Sequence, residues 1–359
     1  MASQKETIIH ILYSGLGGHA SVVFSLIEAD ATRNYDHALI FYGIEELPVA
    51  YAGKCRKLQA AYFVVRKKPG FDKDSYKEVT DVIARVKPKA ILLHSVNLIL
   101  PVWLAARKNK SKLIAVEHQP NHLKSKREYL WSFLLMVLAD KVVYLTALYQ
   151  EQMKKILKMC YRDNKVSVIN NGINTDVFKE EPGSTTDIGM LARITPTKDH
   201  KTLLKAWKLL ESKLNCNLII AGDGELRIEM ERLSVELKLQ NVTFAGMLDE
   251  NDSALFLKKL KVYVHASLGE TMSTSIMQAM ASGKVIVASN VEGINNMIDD
   301  NKNGILVTAG NAEQLADAIE SAFVDESLRK SLSYNARKTA EEKFSNQTMF
   351  QKYLTLIES

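Results

Sequence analysis

The sequence predicts an α/β protein built from two doubly wound parallel sheets, and three observations carry that prediction. The 359 residues suffice for about two domains at roughly 100 to 200 residues each, so each domain can bury a core of its own. Short apolar runs alternate with segments of helical periodicity nearly from end to end, the pattern of strand–helix–strand units. Turn formers interrupt the alternation near the middle, at Asn170-Asn171-Gly172-Ile173-Asn174 and again over 180–186 with Pro182 and Gly183.

Taken in order, the first half offers strands at Thr7–Tyr13, His37–Tyr42, Ala90–His94, Leu113–Glu117, Val142–Leu145 and Val166–Ile169. Helices are expected over about 19–30, 75–86, 97–108, 127–139 and 147–158. The second half offers strands at Asp187–Leu191, Leu218–Ala221, Val242–Ala245, Val262–His265, Val285–Ala288 and Gly304–Val307, with helices between them and a helical tail from Ala312. Parallel neighbours cannot be joined by a tight hairpin, so each series requires right-handed crossovers. The expected domains are residues 1–172 and 173–345. Ligands of open α/β sheets bind beyond the carboxyl ends of the strands, which makes a cleft between two facing sheets the expected site.

Composition narrows the class further. With 47% hydrophobic and 25% charged residues, the chain is neither disordered nor a coiled coil. No apolar stretch reaches the roughly 18 to 20 residues of a membrane span, and the longest, Tyr129–Ala139, is broken by Ser132. The N-terminus reads as a first strand rather than a signal peptide. Cys55, Cys160 and Cys216 are scattered and lack CxxC spacing, so neither a disulfide framework nor a zinc site is expected, and a cytoplasmic setting fits. The net charge of +6 conceals +11 over residues 1–170 and −5 over 171–359. The basic half is expected to meet something anionic.

Several motifs sit where the strands end. Gly15-Leu16-Gly17-Gly18-His19-Ala20 follows the first strand and opens a helix, the context of a phosphate-binding turn or of a plain tight turn. A dinucleotide site would want an acidic residue ending the second strand, where Gly43 stands instead. Arg193 and Lys198 follow the strand ending in GML, either as a clamp for a diphosphate or as a solvated basic pair. Glu270 precedes a helix start rich in Ser and Thr, whose free N–H groups at Ser273 and Thr274 can receive phosphate oxygens. His118 ends a first-half strand, and its imidazole can equally cap that strand. Asp72-Lys73-Asp74 mimics a D-x-D metal motif, but a helix N-cap at Asp74 or Ser75 explains it better. His10, His37, His94, His122, His200 and His265 show no metal-ligand spacing and are read as structural or exposed. No metal site is expected.

The ordered series GLGG, INNGINTDVF, GMLARITPTK, IIAGDGELR, VTFAGML and SLGETMSTSIMQAMASGKVIVAS, spread over essentially the whole chain, resembles glycosyltransferase family 4, retaining enzymes of the GT-B fold with two Rossmann-like domains. The resemblance implies that Arg193 and Lys198 hold the donor diphosphate, with Gly17 and Gly18 near its β-phosphate. It implies that Glu270 contacts the transferred sugar and that His118 lies at the reaction centre. Nucleoside contacts fall to Gly222, Gly246, Met247, Leu248 and Gln278. Gln278 departs from the family's second Glu, keeping an acceptor oxygen while losing the charge. His19 stands near a position where the family often has an acidic residue, on the acceptor side. The tail from about Asn346 is expected to cross back to the first domain.

The implied activity is transfer of a hexose or N-acetylhexosamine from a nucleotide diphosphate, UDP favoured, to a glycan or lipid-diphosphate acceptor with an α-linkage, requiring no metal and no other cofactor. A UDP-sugar epimerase on the same fold and a non-catalytic partner subunit are the alternatives. No nucleic-acid partner is expected. Lys124, Lys126 and Arg127 precede Trp131 and a run of apolar residues, which fits a helix lying on an anionic membrane at the inner face of the cytoplasmic membrane. An ordinary core helix with Leu130, Leu134 and Val137 buried fits the same spacing.

Overall fold

The structure, a computed structural model, describes residues 5–15, 18–119, 121, 124–180 and 187–359. The chain divides into two compact units, Met1–Gly172 with Asn346–Ser359, and Ile173–Ser345.

In the first unit the strands are β1 (Thr7–Tyr13), β2 (Asp36–Gly43), β3 (Ala61–Arg66), β4 (Ala90–Leu93), β5 (Lys112–Glu117), β6 (Lys141–Tyr144) and β7 (Val166–Val168). The helices are α1 (Gly18–Ala29), α2 (Val49–Lys57), α3 (Lys73–Val86), α4 (Ile99–Asn109), α5 (Lys126–Leu138) and α6 (Ala147–Leu157). The sheet runs β3-β2-β1-β4-β5-β6-β7, parallel throughout. The second unit has β8 (Asp187–Leu191), α7 (His200–Leu210), β9 (Leu218–Ala221), α8 (Arg227–Glu236), β10 (Val242–Gly246), α9 (Glu250–Lys259) and β11 (Leu260–His265). It continues through α10 (Thr274–Ala281), β12 (Val285–Ser289), β13 (Ile305–Val307), α11 (Ala312–Val324) and α12 (Glu326–Lys343). Its parallel sheet runs β10-β9-β8-β11-β12-β13.

Both sheets reverse their winding beside the first strand, between β1 and β4 in one and between β8 and β11 in the other. At such a switch point the flanking loops part and leave a crevice at the carboxyl edge. This geometry positions the candidate residues, because His94 and His118 follow β4 and β5 whereas Arg193 and Glu270 follow β8 and β11.

Strand β3 and helix α2 have no counterpart in the sequence reading. AYFVVR pairs with β2 alone at the sheet edge and stays partly exposed, and α2 carries Gly53 and only two buried side chains. Edge elements bury one side at most, so their apolar signal is short. The N-cap of α3 is Asp72 rather than Asp74 or Ser75, its carboxylate accepting from Ser75 N. The D-x-D sequence is thus spent on a helix start.

Each sheet is buried on both faces. In the second unit α7 lays Leu203, Leu204, Trp207 and Leu210 onto the core at helical spacing. In the first, Leu12, Leu39 and Phe41 of β1 and β2 pack beneath Ala20, Val23, Phe24 and Ile27 of α1. The last helix, α13 (Asn346–Glu358), buries Met349, Phe350, Tyr353, Leu356 and Ile357 and packs against α1. Asn346 Nδ2 donates to Ser25 O at 3.1 Å.

Candidate functional site

In the second unit the loop after β8 is tied down by backbone bonds on two sides. Ile194 N donates to Asp223 O at 2.9 Å, Asp199 N to Ala266 O at 3.1 Å and Leu268 N to Thr197 O at 2.9 Å. Gly222, at φ +131°, lies so close to Ala192 O that a β-carbon would collide with it, so only glycine lets the β9 end brace the Arg193 loop. The loop holds Lys198 largely out of solvent, with Nζ donating to Glu270 Oε2 at 2.5 Å. Arg193 is exposed.

His265, at the end of β11, completes this cluster. Its Nε2 lies 3.5 Å from Lys198 Nζ and 4.0 Å from Glu270 Oε1. Tyr263 Oη donates its one proton to Leu191 O at 3.2 Å, so at 3.1 Å from His265 Nδ1 it can only accept. His265 therefore carries its proton on Nδ1 and presents the Nε2 lone pair to the ammonium. Burial, then the charge of Lys198 and then His200, hold its pKa well below the ordinary value, so the ring is neutral. Sequence reading passed over His265 because spacing along the chain does not show that β8 and β11 are neighbours.

Glu270 owes its place to a second unpredicted residue. Gly293, at φ +92°, packs directly against Glu270 O, and any side chain there would displace the carboxylate's backbone. Just beyond, Ser273 caps α10, accepting from Ile276 N, and Thr274 begins the helix. A helix N-terminus offers free N–H groups and a partial positive charge to an anion. Gln278 is half-buried one turn after Thr274. Gly222 N donates to Gly246 O at 2.7 Å, joining two of the expected nucleoside residues; Met247 beyond them is exposed and Leu248 half-buried.

In the first unit His118 lies half-buried at the end of β5, its Nε2 2.8 Å from His94 Nδ1. The ring of His19, in the first turn of α1, lies 6.4 Å from that of His118. Burial, and secondarily His19, push the pKa of His118 down to about 3, and burial also lowers His94 and His19. All three imidazoles are neutral near pH 7. A cavity of about 190 Å³ opens here, lined by His94, Val96, Glu117, His118, Gln119, Lys124 and Glu128. A wider depression of about 510 Å³ lies beside edge strand β3 and α3, away from the strand ends, and carries no comparable cluster. Gly18 opens α1 in an exposed position, and Gly17 lies outside the described residues, as do His122, Pro182 and Gly183.

Lys124 corrects the sequence reading. It was expected among exposed cations, yet its side chain is 2% exposed and Nζ donates to Glu117 Oε2 at 2.7 Å and to Ser132 Oγ at 3.0 Å. A membrane-facing role is therefore excluded for it. The core-helix alternative also needs correction, because Leu130 and Val137 are exposed and the buried stripe is Ser132, Leu135 and Met136. Lys126 and Arg127 are exposed, with the Arg127 guanidinium 5.9 Å over the ring of half-buried Trp131. Among the described residues no group of three or more His, Cys, Asp or Glu could hold a metal ion, and no helix is long and apolar enough to cross a membrane.

Comparison with known proteins covers both units. Residues 16–177 match the family model described as Glycosyltransferase Family 4, and residues 174–339 match Glycosyl transferases group 1. The chain is 31% identical over 181 residues to the lipopolysaccharide core biosynthesis glycosyltransferase LpsE of Rhizobium meliloti, a match covering 50% of this chain and 52% of that one. It is 29% identical to an α-1,4-N-acetyl-D-galactosaminyltransferase of Campylobacter jejuni, over 69% of this chain and 68% of that one. The crystal structure of Anabaena HepE in complex with UDP and glucose superposes with a TM-score of 0.84 at 17% identity, covering 99% of this chain and 100% of that one. Two family models that between them run through both sheets, on a fold shared with GT-B structures over nearly every residue, make this chain a member of glycosyltransferase family 4 and an enzyme of glycosyltransferase type.

Proposed function

We propose that the enzyme transfers a hexose or N-acetylhexosamine from a UDP-sugar to a hydroxyl of a glycan or lipid-diphosphate acceptor, with retention, forming an α-glycosidic bond. The observation that carries this reading is the Lys198–Glu270–His265 cluster beside the N-terminus of α10. As the nucleoside diphosphate departs, negative charge grows on its β-phosphate. Lys198, Arg193 and the α10 N–H groups of the second unit are fixed in advance to stabilise it. Cations and helix ends supply the charge that a divalent ion would bring, so the reaction needs no metal.

Glu270 accepts hydroxyl hydrogen bonds from the sugar, Gly222, Gly246, Met247, Leu248 and Gln278 hold the nucleoside, and His118 and His19 face the acceptor. HepE is described with UDP and glucose, and the Campylobacter relative is named for an undecaprenol diphosphate-linked acceptor, which favours UDP and a lipid-linked glycan here. A departing phosphate that takes the acceptor's proton on the same face accounts for retention. The exposed residues Lys126, Arg127, Leu130 and Val137 of α5 attach the first unit to an anionic membrane surface from the cytoplasmic side.

The test is a thermal-shift series with UDP, GDP and ADP, followed by UDP release from UDP-glucose and UDP-N-acetylglucosamine with and without acceptor, and NMR of the product anomer. UDP-specific stabilisation and an α-linked product are expected. No shift with any nucleotide, a β-linked product or an epimerised sugar without transfer overturns the reading.

A further inference from the structure

Four of the first unit's histidines lie on one face of its sheet. In the ladder Ile8 pairs with His37, His10 with Leu92, and Leu92 with Ile114. Side chains two apart share a face, so His37, His10, His94 and His118 form a diagonal from β2 across β1 to the carboxyl ends of β4 and β5. Neighbouring rings stand 5.4, 6.1 and 5.1 Å apart in that order. Sheet faces under a helix are ordinarily apolar, as Leu12, Leu39 and Phe41 are here.

The hydrogen bonds give the line a direction. Asp30, with a 1% exposed side chain, accepts from Asn34 N at 2.9 Å and Tyr35 N at 3.1 Å, and lies 3.3 Å from His37 Nε2. Burial pulls its carboxyl upward, but the bonds from His37 and the two amides outweigh that and keep it ionised. A carboxylate only accepts, so His37 carries a proton on Nε2, and in the neutral ring its Nδ1 then receives the proton of His10 Nε2 at 3.1 Å. This leaves His10 Nδ1 as a lone pair. It is sealed from solvent without a partner among the described residues, and so is Nε2 of the adjoining ring, His94. A buried polar nitrogen left without a partner forfeits its hydration with nothing in return, and here there are two. Buried water characteristically satisfies such groups in twos to fours.

We propose that one buried water joins His10 Nδ1 to His94 Nε2, and that Asp30, His37, His10 and His94 form a positioning relay holding His118 protonated on Nε2, with Nδ1 free to accept from the substrate. The water donates to His10 and accepts from His94, and His94 Nδ1 in turn accepts from His118 Nε2 at 2.8 Å. Every N–H then points toward the one anion of the line, the order its field favours, and aligned bonds polarise one another. The catalytic consequence rests on the reading of His118 as a residue at the reaction centre, whereas the proton order does not.

The test uses the full chain with ¹⁵N-labelled imidazoles, whose shifts separate the two tautomers. In the wild type His10, His37, His94 and His118 should all be Nε2–H. His10→Phe keeps a stacked ring and removes both nitrogens, and His37→Phe cuts the link to Asp30 should the first variant not fold. Either should leave His118 as a mixture of tautomers and lower kcat about tenfold or more, with KM for the UDP-sugar little changed. A wild-type His118 protonated on Nδ1, or a His118 signal identical in the folded variants, overturns the relay. A wild type that turns over no UDP-sugar at all would overturn the proposed function while the tautomer spectra still decide the relay.

Discussion

Lys198 meets a carboxylate and a neutral imidazole in the same few ångströms, so its ammonium is oriented before any donor arrives. Lys198→Ala and Arg193→Ala should each lower turnover by about a hundredfold or more, the scale of losing a preorganised transition-state donor. Steady-state kinetics on variants with unchanged thermal unfolding checks this. Glu270→Gln keeps the shape but removes the charge, so kcat should fall while UDP affinity by calorimetry changes little. Lys124 belongs to a different physical case. It and Glu117 are buried together, and Lys124→Ala leaves a carboxylate without its counter-ion, at a cost of about 3–5 kcal/mol. Denaturant unfolding should show that loss, and Lys124→Ala combined with Glu117→Gln should restore part of it. If the single variant is as stable as the wild type, the pair is not buried in solution.

At the scale of elements, α5 combines a strong start with two differing faces. Ser125 and Glu128 form a capping box, each bonded to the other's backbone N–H. Ser132, Leu135 and Met136 turn inward, leaving Lys126, Arg127, Leu130 and Val137 outside. Neighbouring α4 likewise exposes Leu100 and Leu104 one turn apart. Each cation near an anionic surface contributes about 1 kcal/mol and is screened by salt. The protein should co-sediment with vesicles rich in anionic lipid at low ionic strength and release at high salt. Replacing Lys126 and Arg127 by Ser should weaken that binding severalfold without lowering thermal stability. Unchanged sedimentation would remove α5 from the membrane reading.

For the molecule as a whole, the final helix is the part whose removal tells most. Asn346–Ser359 belongs with the first unit although 173 residues of the second separate it from Gly172. It buries five large apolar side chains there, each contributing about 1.5–3 kcal/mol when fully buried. Truncation after Ser345 should therefore lower the melting temperature of the first unit, read by circular dichroism, while UDP still stabilises the second. Equal loss in both units would show that they do not unfold independently.

Local chemistry alone determined the parallel α/β class, most strand positions and the residues at strand ends. Periodicity, turn formers and cations are properties of neighbours along the chain, and Arg193, Lys198 and Glu270 stand out by that local context. Edge elements β3 and α2 escaped because partial burial weakens the apolar pattern. What only the tertiary structure decided is which distant residues meet. His265 reaches Lys198 because β8 pairs with β11, and His37, His10, His94 and His118 align because strand order places β4 beside β1. Lys124 turned inward because Glu117 awaits it at the end of β5. A charge's exposure and a histidine's tautomer depend on partners that sheet order supplies, and no spacing along the chain encodes that order.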